Sequence, residues 1–440
     1  YLLANKSINT FSLTTSFTVS SLGTWILFGP SSAATWGGIG AVIGYALGTA
    51  FPFFLLIYLG KKFRKDFPDC ITITEVIRLK FNQKIFKLIL FLSVFYMIIF
   101  LIAEVTAVSL LINYISGIDL WITAAVVIIS SLIYTLYGGL RASIFTDKFQ
   151  FIFFIILLSM GLYSLISLNS SIFNYSFIKQ NKPDLLSWSY LPNFTSGIIF
   201  FIAVAATNLF HQGNWQRVYA AKNYKTLQKS LIYSFIIVIP IVFIMGFTGL
   251  IAISENAKVT PDLAFFYLLL KNNSFLLGVI IIFLGISLTI SSVDTLINAI
   301  SSIVIVDAKK LVNLQVNNMS LSRILIVLIS IISFYVASKG ISILYLFLLA
   351  DMLCCSAVVT IFYSFFKKKI NLKHTYFSII LGLVGGTLFF PSPDFNQSLL
   401  IGGILPVDIF PVFISSSLLF FSFITATILP YIFLKIKGDK

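Results

Sequence analysis

Residues 287–302 read SLTISSVDTLINAISS and stand between two apolar runs, LLGVIIIFLGI before and IVIV after. On a helix at 100° per residue, Ser287, Ser291, Asp294, Asn298 and Ser301 fall within roughly 80° of arc, and Thr295 and Ser302 widen the stripe. Such a stripe can do two things. Small polar residues let helices approach and hydrogen-bond, and oxygen donors hold hard cations. The serines fit either use. Asp294 fits the second better, because no Lys or Arg falls inside a nearby span and a bound cation or proton is then its natural partner. A second stretch, YGGLRASIFTDKFQ at 137–150, puts Ser143, Thr146, Asp147 and Gln150 on one helical face. Gly138 and Gly139 read there as a tight turn with Arg141 at the membrane surface; an interfacial Asp147–Lys148 pair is the plainer alternative. A third, SFTVSSLGTWILFGPSSAATWGG at 16–38, gathers Ser16, Thr18, Ser20, Ser21 and Thr24 around Gly23. Unwinding at Gly23 would free backbone carbonyls of the kind transporters use for Na⁺, while a small-residue packing face is the simpler use. Glu104 and Asp351 complete the acids that lie in apolar segments, where a charge costs at least about 2.5–3.5 kcal/mol by insertion scales.

The elements that carry these residues follow from composition. The chain is 58% hydrophobic and only 10% charged, with a mean hydropathy of +1.01, far from the roughly 25% charge of soluble domains. It reads as an integral membrane protein. The alternating pattern of barrel strands is absent, so helices are the spanning element. Twelve spans are expected, near 11–30, 36–60, 86–115, 120–137, 143–167, 196–212, 230–253, 274–306, 322–338, 341–365, 375–390 and 407–434, with a short non-spanning helix near 261–271. With the first residues placed in the cytoplasm, 25 of the 30 Lys and Arg fall in inner segments and 5 in outer ones. That asymmetry supports an even span count with both ends of this chain cytoplasmic. The net charge of +15 then faces anionic lipid rather than nucleic acid. Two histidines in the whole chain argue against a membrane enzyme. Cys70, Cys354 and Cys355 show neither metal spacing nor a disulfide framework and read as apolar fillers. The chain begins at Tyr1 without a signal-peptide pattern, and an N-terminal segment is expected to be missing.

Together these segments resemble the sodium:solute symporter family, in order and over essentially the whole chain. YLLANKSI is similar to its stretch before the first core helix, YGGLRASIFTDKFQ to its Gly-Gly…Thr-Asp…Gln segment, NWQRVYAAKN (214–223) to its Gln-Arg…Ala-Ala-Lys segment, and SSVDTLINAISSIVIVDAKK to its Ser-Ser…Asn…Ser-Ser…Asp segment. The resemblance implies an all-α integral membrane protein of one transporter domain, 1–440, with a LeuT-like inverted repeat of five plus five helices. The first repeat would be 11–167, the second 196–365, and two additional helices would lie in 366–440. The family usually carries one extra helix before the core, which this chain lacks. The resemblance further implies a main Na⁺ site of two hydroxyls, Ser291 and Ser292, with backbone carbonyls at Val19 and Leu22. Some members hold a second Na⁺, which here would use Asp147, Ser291, Asp294 and Thr295; Asp294 departs from the family's hydroxyl pattern and could take a proton instead.

A solute would sit near the midplane between the first and sixth core helices. Its candidate contacts are Ser21, Trp25, Tyr45, Thr207, Asn208, His211 and Asp351. Trp25 serves equally as a packing ring, and His211 equally as an interfacial histidine. Where the family's sugar carriers place carboxylate and amide side chains, this chain has Ile26, Tyr45 and Gly48, which disfavours a sugar. The expected activity is Na⁺-coupled import of a small polar solute across the plasma membrane by alternating access. Its rivals are proton coupling in the same fold and, from another class, a solute channel. No cofactor beyond the coupling ion and no obligatory protein partner is expected.

Overall fold

The computed structural model describes residues 8–70, 72–168, 175–187, 189–255, 260–270, 275–304, 307, 318–367, 371–401 and 418–438. Side chains at 134–147, 150, 157–158, 161–162, 164–168, 175, 177, 276, 318–323 and 438 lie outside the description. Among the described residues the chain is nearly all helical. It has no strand beyond the isolated bridge pairs Ile8–Ala221 and Pro391–Ser398.

The helices are α1 (Thr10–Leu22), α2 (Gly29–Asp66), α3 (Ile73–Lys80), α4 (Gln83–Ser116), α5 (Leu120–Leu168), α6 (Tyr175–Asn181), α7 (Leu191–Phe210) and α8 (Gln212–Ala220). They continue with α9 (Tyr224–Ser254), α10 (Ala264–Leu270), α11 (Phe275–Ile303), α12 (Asn318–Ala337), α13 (Ile343–Phe366), α14 (Leu372–Phe389) and α15 (Leu418–Gly438). Among the described residues, eight helices are long and apolar enough to cross a membrane, and Leu120–Ile133, Pro261–Leu270 and Ile324–Ala337 are shorter apolar stretches.

Two expected boundaries differ. The turn after the first span lies at Gly38 (φ 56°, ψ −152°), not between 30 and 36. Pro30 stands in the first turn of α2, where its missing N–H costs nothing, so it starts a helix instead of ending one. The positive φ needs glycine, and a Cβ at Gly38 would also strike the Asn193 side chain and the Leu185 carbonyl. The expected turn at Gly138–Gly139 falls within the single helical run of α5, where the side chains of 134–147 lie outside the description.

The sequence dictates how closely these helices pack. Glycines on α2 meet the backbone of α7 directly: Gly40 faces the Asn193 carbonyl, Gly44 the Gly197 carbonyl, and a Cβ at Gly48 would lie 2.7 Å from the Phe200 oxygen. On the other flank Gly249 of α9 admits the Ser31 carbonyl of α2. Small residues are what allow helix backbones to close to this distance in lipid. Hydroxyls tie α1 to α9. Thr18 Oγ1 donates to Ser234 Oγ at 3.2 Å, and Ser230 Oγ donates to the Thr10 carbonyl at 3.1 Å. A second group joins α4 to α11 and α13, and α13 to α14 and α15.

At one end of the bundle lie α3 and α8. Arg64 at the end of α2 donates to the carbonyls of Val218 and Ala221 at 3.0 and 2.9 Å, closing the C-terminus of α8. The hydroxyls of Thr72 and Thr74 each donate to Asp307 Oδ2 at 2.6 Å. At the other end lies α10, preceded by the 3₁₀ turn Pro261–Leu263. There Asp262 accepts from the Ile343 N–H at 3.0 Å and from Ser342 Oγ at 3.2 Å, capping α13. Burial pushes the Asp262 carboxyl above its ordinary range, against the pull of hydrogen bonds from Ser32, Ile343 and Ser342.

Candidate cation and solute site

The site begins where α1 stops. Leu22 is its last helical residue, and Gly23 takes φ 30° and ψ −173°, with its N–H bonded to the Val19 carbonyl at 2.9 Å. The chain resumes in the 3₁₀ turn Thr24–Leu27. This is the break expected at Gly23, and the neighbours that hold it are now visible. The Thr24 N–H reaches Glu104 Oε2 on α4 and Ser292 Oγ on α11, each at 3.2 Å. Thr24 Oγ1 donates to Thr289 Oγ1 of α11 at 3.1 Å.

A second break faces the first. α7 ends at Phe210 and α8 begins at Gln212, with His211 extended between them. The chain closes this break on itself. His211 Nδ1 accepts from the Gly213 N–H at 3.0 Å, Asn214 Nδ2 donates to the Asn208 carbonyl at 2.7 Å, and Trp215 Nε1 donates to the Leu209 carbonyl at 2.8 Å.

Between the two breaks lies a cavity of about 50 Å³, room for only a few waters by the roughly 10–15 Å³ that each needs on this measure. Of the expected cation residues, Val19, Ser291, Ser292 and Thr295 line it; of the expected solute residues, Trp25, Tyr45, Thr207, Asn208, His211 and Asp351 do. Thr207 Oγ1 donates to Asp351 Oδ1 at 2.6 Å, so the carboxylate is held in place by a neutral donor. Trp25 stacks on Tyr45 at 5.4 Å between ring centroids, and Tyr45 stacks on Phe200 at 4.7 Å, forming an aromatic wall. Among the described residues no Lys or Arg lines the cavity.

Other expectations fall elsewhere. Ser21 and Leu22 are buried in α1 but do not line the cavity. Asp294 does not line it either; its Oδ1 accepts from Asn298 Nδ2 at 2.8 Å, one turn along the same helix. The Asp147 side chain lies outside the described residues, so the second cation site is seen only through Ser291, Thr295 and Asp294.

Two residues escaped the sequence reading. Glu104 was noted as an acid in an apolar span but given no role; it is 2% exposed and lines the cavity beside Ser292. Arg217 was counted among surface bases, yet it is fully buried, with Nε donating to Ser16 Oγ at 2.7 Å and Nη1 to the Gly213 carbonyl at 3.0 Å. Arg217 is thus a buried base, which the place of its segment among the inner loops did not suggest. α8 folds back against the bundle and brings Arg217 to Ser16 in the middle of α1. Among the described residues no group of three His, Cys, Asp or Glu is arranged to hold a metal.

A bundle with two broken helices facing one small polar cavity has the construction of an ion-coupled membrane transporter. The comparisons agree. Residues 1–382 match the profile of the sodium:solute symporter family, and the chain belongs to that family. A curated relative, the "Spermidine transporter DUR31" of Candida albicans, is 27% identical over 374 residues, covering 82% of this chain and 68% of that protein. Among solved structures, a Na⁺-coupled sialic acid symporter in a substrate-bound, outward-open state shares the fold with a TM-score of 0.71 at 16% identity, over 98% of this chain and 92% of that one. Mhp1, a nucleobase-cation-symport-1 family transporter, aligns at 0.56 and 12% identity over 99% and 94% of the two chains. The Eremococcus coleocola manganese transporter aligns at 0.55 and 12% over 99% and 95%. The chain is thus a multi-pass membrane transporter of the sodium:solute symporter family with a LeuT-like fold.

Proposed function

We propose that this protein imports a small, positively charged polar solute, a protonated amine, together with Na⁺ across the plasma membrane by alternating access. The observation that carries the reading is the single cavity in which the hydroxyls of Ser291 and Ser292 and the carboxylate of Asp351 are both exposed, between two helix breaks. Carbonyls and hydroxyls suit a hard monovalent ion, so Na⁺ takes Ser291, Ser292 and the carbonyls of Val19 and Leu22. Asp351 takes the solute's ammonium, with Thr207 and Asn208 beside it and the Trp25–Tyr45 wall offering π faces to a cation. The spermidine named for the Candida relative is a solute of this chemistry. A second cation, Na⁺ or a proton, would use Asp147, Asp294, Ser291 and Thr295. The repeats at 11–167 and 196–365, with both ends of this chain cytoplasmic, put the α3 and α8 end on the inside. One Na⁺ falling through 100 mV releases about 2.3 kcal/mol, enough for roughly 50-fold accumulation of a neutral solute.

The test is uptake into proteoliposomes with Na⁺ and pH gradients imposed separately, using spermidine, putrescine, urea and a hexose. Uptake of the amines driven by Na⁺, with accelerated exchange from preloaded vesicles, supports the reading. Uptake that follows only the pH gradient replaces it with proton coupling, and uptake without counterflow points to a channel.

A further inference from the structure

We propose that Glu104 is itself a ligand of the coupling ion, holding Na⁺ against Ser292 in the gap that the missing side chain of Gly23 leaves open. The inference rests on the Na⁺-symport reading and adds a carboxylate to the neutral set of hydroxyls and carbonyls. Three observations converge. First, a Cβ built on Gly23 would stand 2.9 Å from Trp25 Cδ1 and 3.1 Å from both Glu104 Oε1 and Ser292 Oγ, so two oxygens from two different helices converge on the bare backbone of Gly23 beside the Trp25 ring. The φ of +30° keeps that position glycine, so no side chain of its own fills the approach between the two oxygens. Second, Glu104 is 2% exposed and the groups around its carboxylate are neutral: the Thr24 N–H at 3.2 Å, the Trp25 N–H and the side chains of Thr24 and Ser292. Neutral donors orient a carboxylate without cancelling its charge, and an uncompensated buried anion is among the costliest things a membrane interior can hold. Third, among the described residues no Lys or Arg lines the cavity to supply the counter-charge. A hard monovalent cation bounded by carboxylate, hydroxyl and carbonyl oxygens satisfies all three. The two carboxylates of the cavity then divide the work: Glu104 serves the ion and Asp351 the solute.

The rival account is that Glu104 only fastens the broken end of α1 through the Thr24 N–H. Glutamine separates the two, since its amide oxygen can accept that N–H but carries no charge. The experiment measures binding of radioactive Na⁺ alone, with no solute present, to purified protein. Glu104→Gln is expected to weaken Na⁺ binding by about tenfold or more, with the melting temperature in Na⁺-free buffer unchanged. Glu104→Asp, which keeps the charge, is expected to recover most of the affinity while shifting the preference between Na⁺ and Li⁺. Na⁺ binding by Glu104→Gln equal to wild type overturns the proposal. If the glutamine variant does not fold, an aspartate variant with unaltered Na⁺ affinity and unaltered Na⁺/Li⁺ preference overturns it as well. Wild-type protein that binds no Na⁺ would instead remove the symport reading. Ser292→Ala that weakens binding beside a Glu104→Gln that does not removes this inference alone.

Discussion

At the end of the bundle that holds α3 and α8, ties from several elements overlap. Arg217 is buried and reaches Ser16 and Gly213, Arg64 closes the C-terminus of α8, Asp307 gathers Thr72 and Thr74, and Gln212 Oε1 accepts from the Ile73 N–H at 2.9 Å. Even the chain before α1 joins in, with Ile8 paired to Ala220 and Lys222 through its backbone. At the α10 end Asp262 fastens α10's preceding turn to α13, and beside it opens a cavity of about 710 Å³ lined by Trp36, Tyr190, Phe395 and Asp262 among others. The central cavity is about 50 Å³. The solute path is therefore sealed by a thick, charged lock on one side and a thin one on the other. On the proposed alternating-access reading, such a carrier would open more readily at the α10 end, and reversing access would break the Arg217 and Asp307 ties together.

That asymmetry orders the expected effects of substitution. The largest belongs to Arg217→Ala, which removes two hydrogen bonds from a buried charged donor, worth about 3 kcal/mol together. Thermal unfolding in detergent should show the loss, and reagents entering from the α3 and α8 side should reach the cavity. Asp307→Ala comes next at about 2 kcal/mol, because Thr72 and Thr74 lose a charged acceptor and are left buried. Limited proteolysis near α3 is the readout, with faster cleavage expected. Asp262→Ala should cost only about 1 kcal/mol, the usual value of a helix cap, and should raise accessibility from the α10 side instead. If it destabilises the protein more than Arg217→Ala does, the thin-lock description is wrong. The smallest effect is expected at Lys62–Asp66, a 3.1 Å pair whose side chains are 41% and 39% exposed. Breaking it should change stability by less than about 0.5 kcal/mol, a control that separates buried ties from surface ones at the same end.

Much of this was legible in the sequence, and the limits are physical. The break at Gly23 followed from a glycine among hydroxyls at mid-span. On α11, helical spacing marked Ser291 and Thr295, which line the cavity, while Ser292 came from the family resemblance and Asp351 of α13 from its place as an acid in an apolar run. What spacing cannot report is which distant helix supplies a partner. Glu104 stood out only as an acid, because the groups that give it a setting, Thr24 and Ser292, are 80 or more residues away in the chain. Asp294 shows the complementary limit: it shares the polar stripe but does not line the cavity, and Asn298 donates to its Oδ1 from one turn along the helix. Arg217 looked like a loop base because NWQRVYAAKN is polar, and only the fold shows that α8 tucks beneath α1.

The glycine contacts of α2 have a mechanical consequence. Where Gly40, Gly44 and Gly249 leave room for a neighbour's carbonyl and nothing more, α2, α7 and α9 have no clearance to slide and behave as one machined part. Among the described residues no glycine of α11 forms such a seam with them; the contacts there are side chains, Tyr96 of α4 against Phe210 of α7 and Gln212 of α8 donating to Ser302 of α11. Gly23, on the chain leading into α2, lies against Glu104 of α4 and Ser292 of α11. A cation seated there would act as a removable pin between the two groups of helices, and its arrival and departure would set when they can rock past one another.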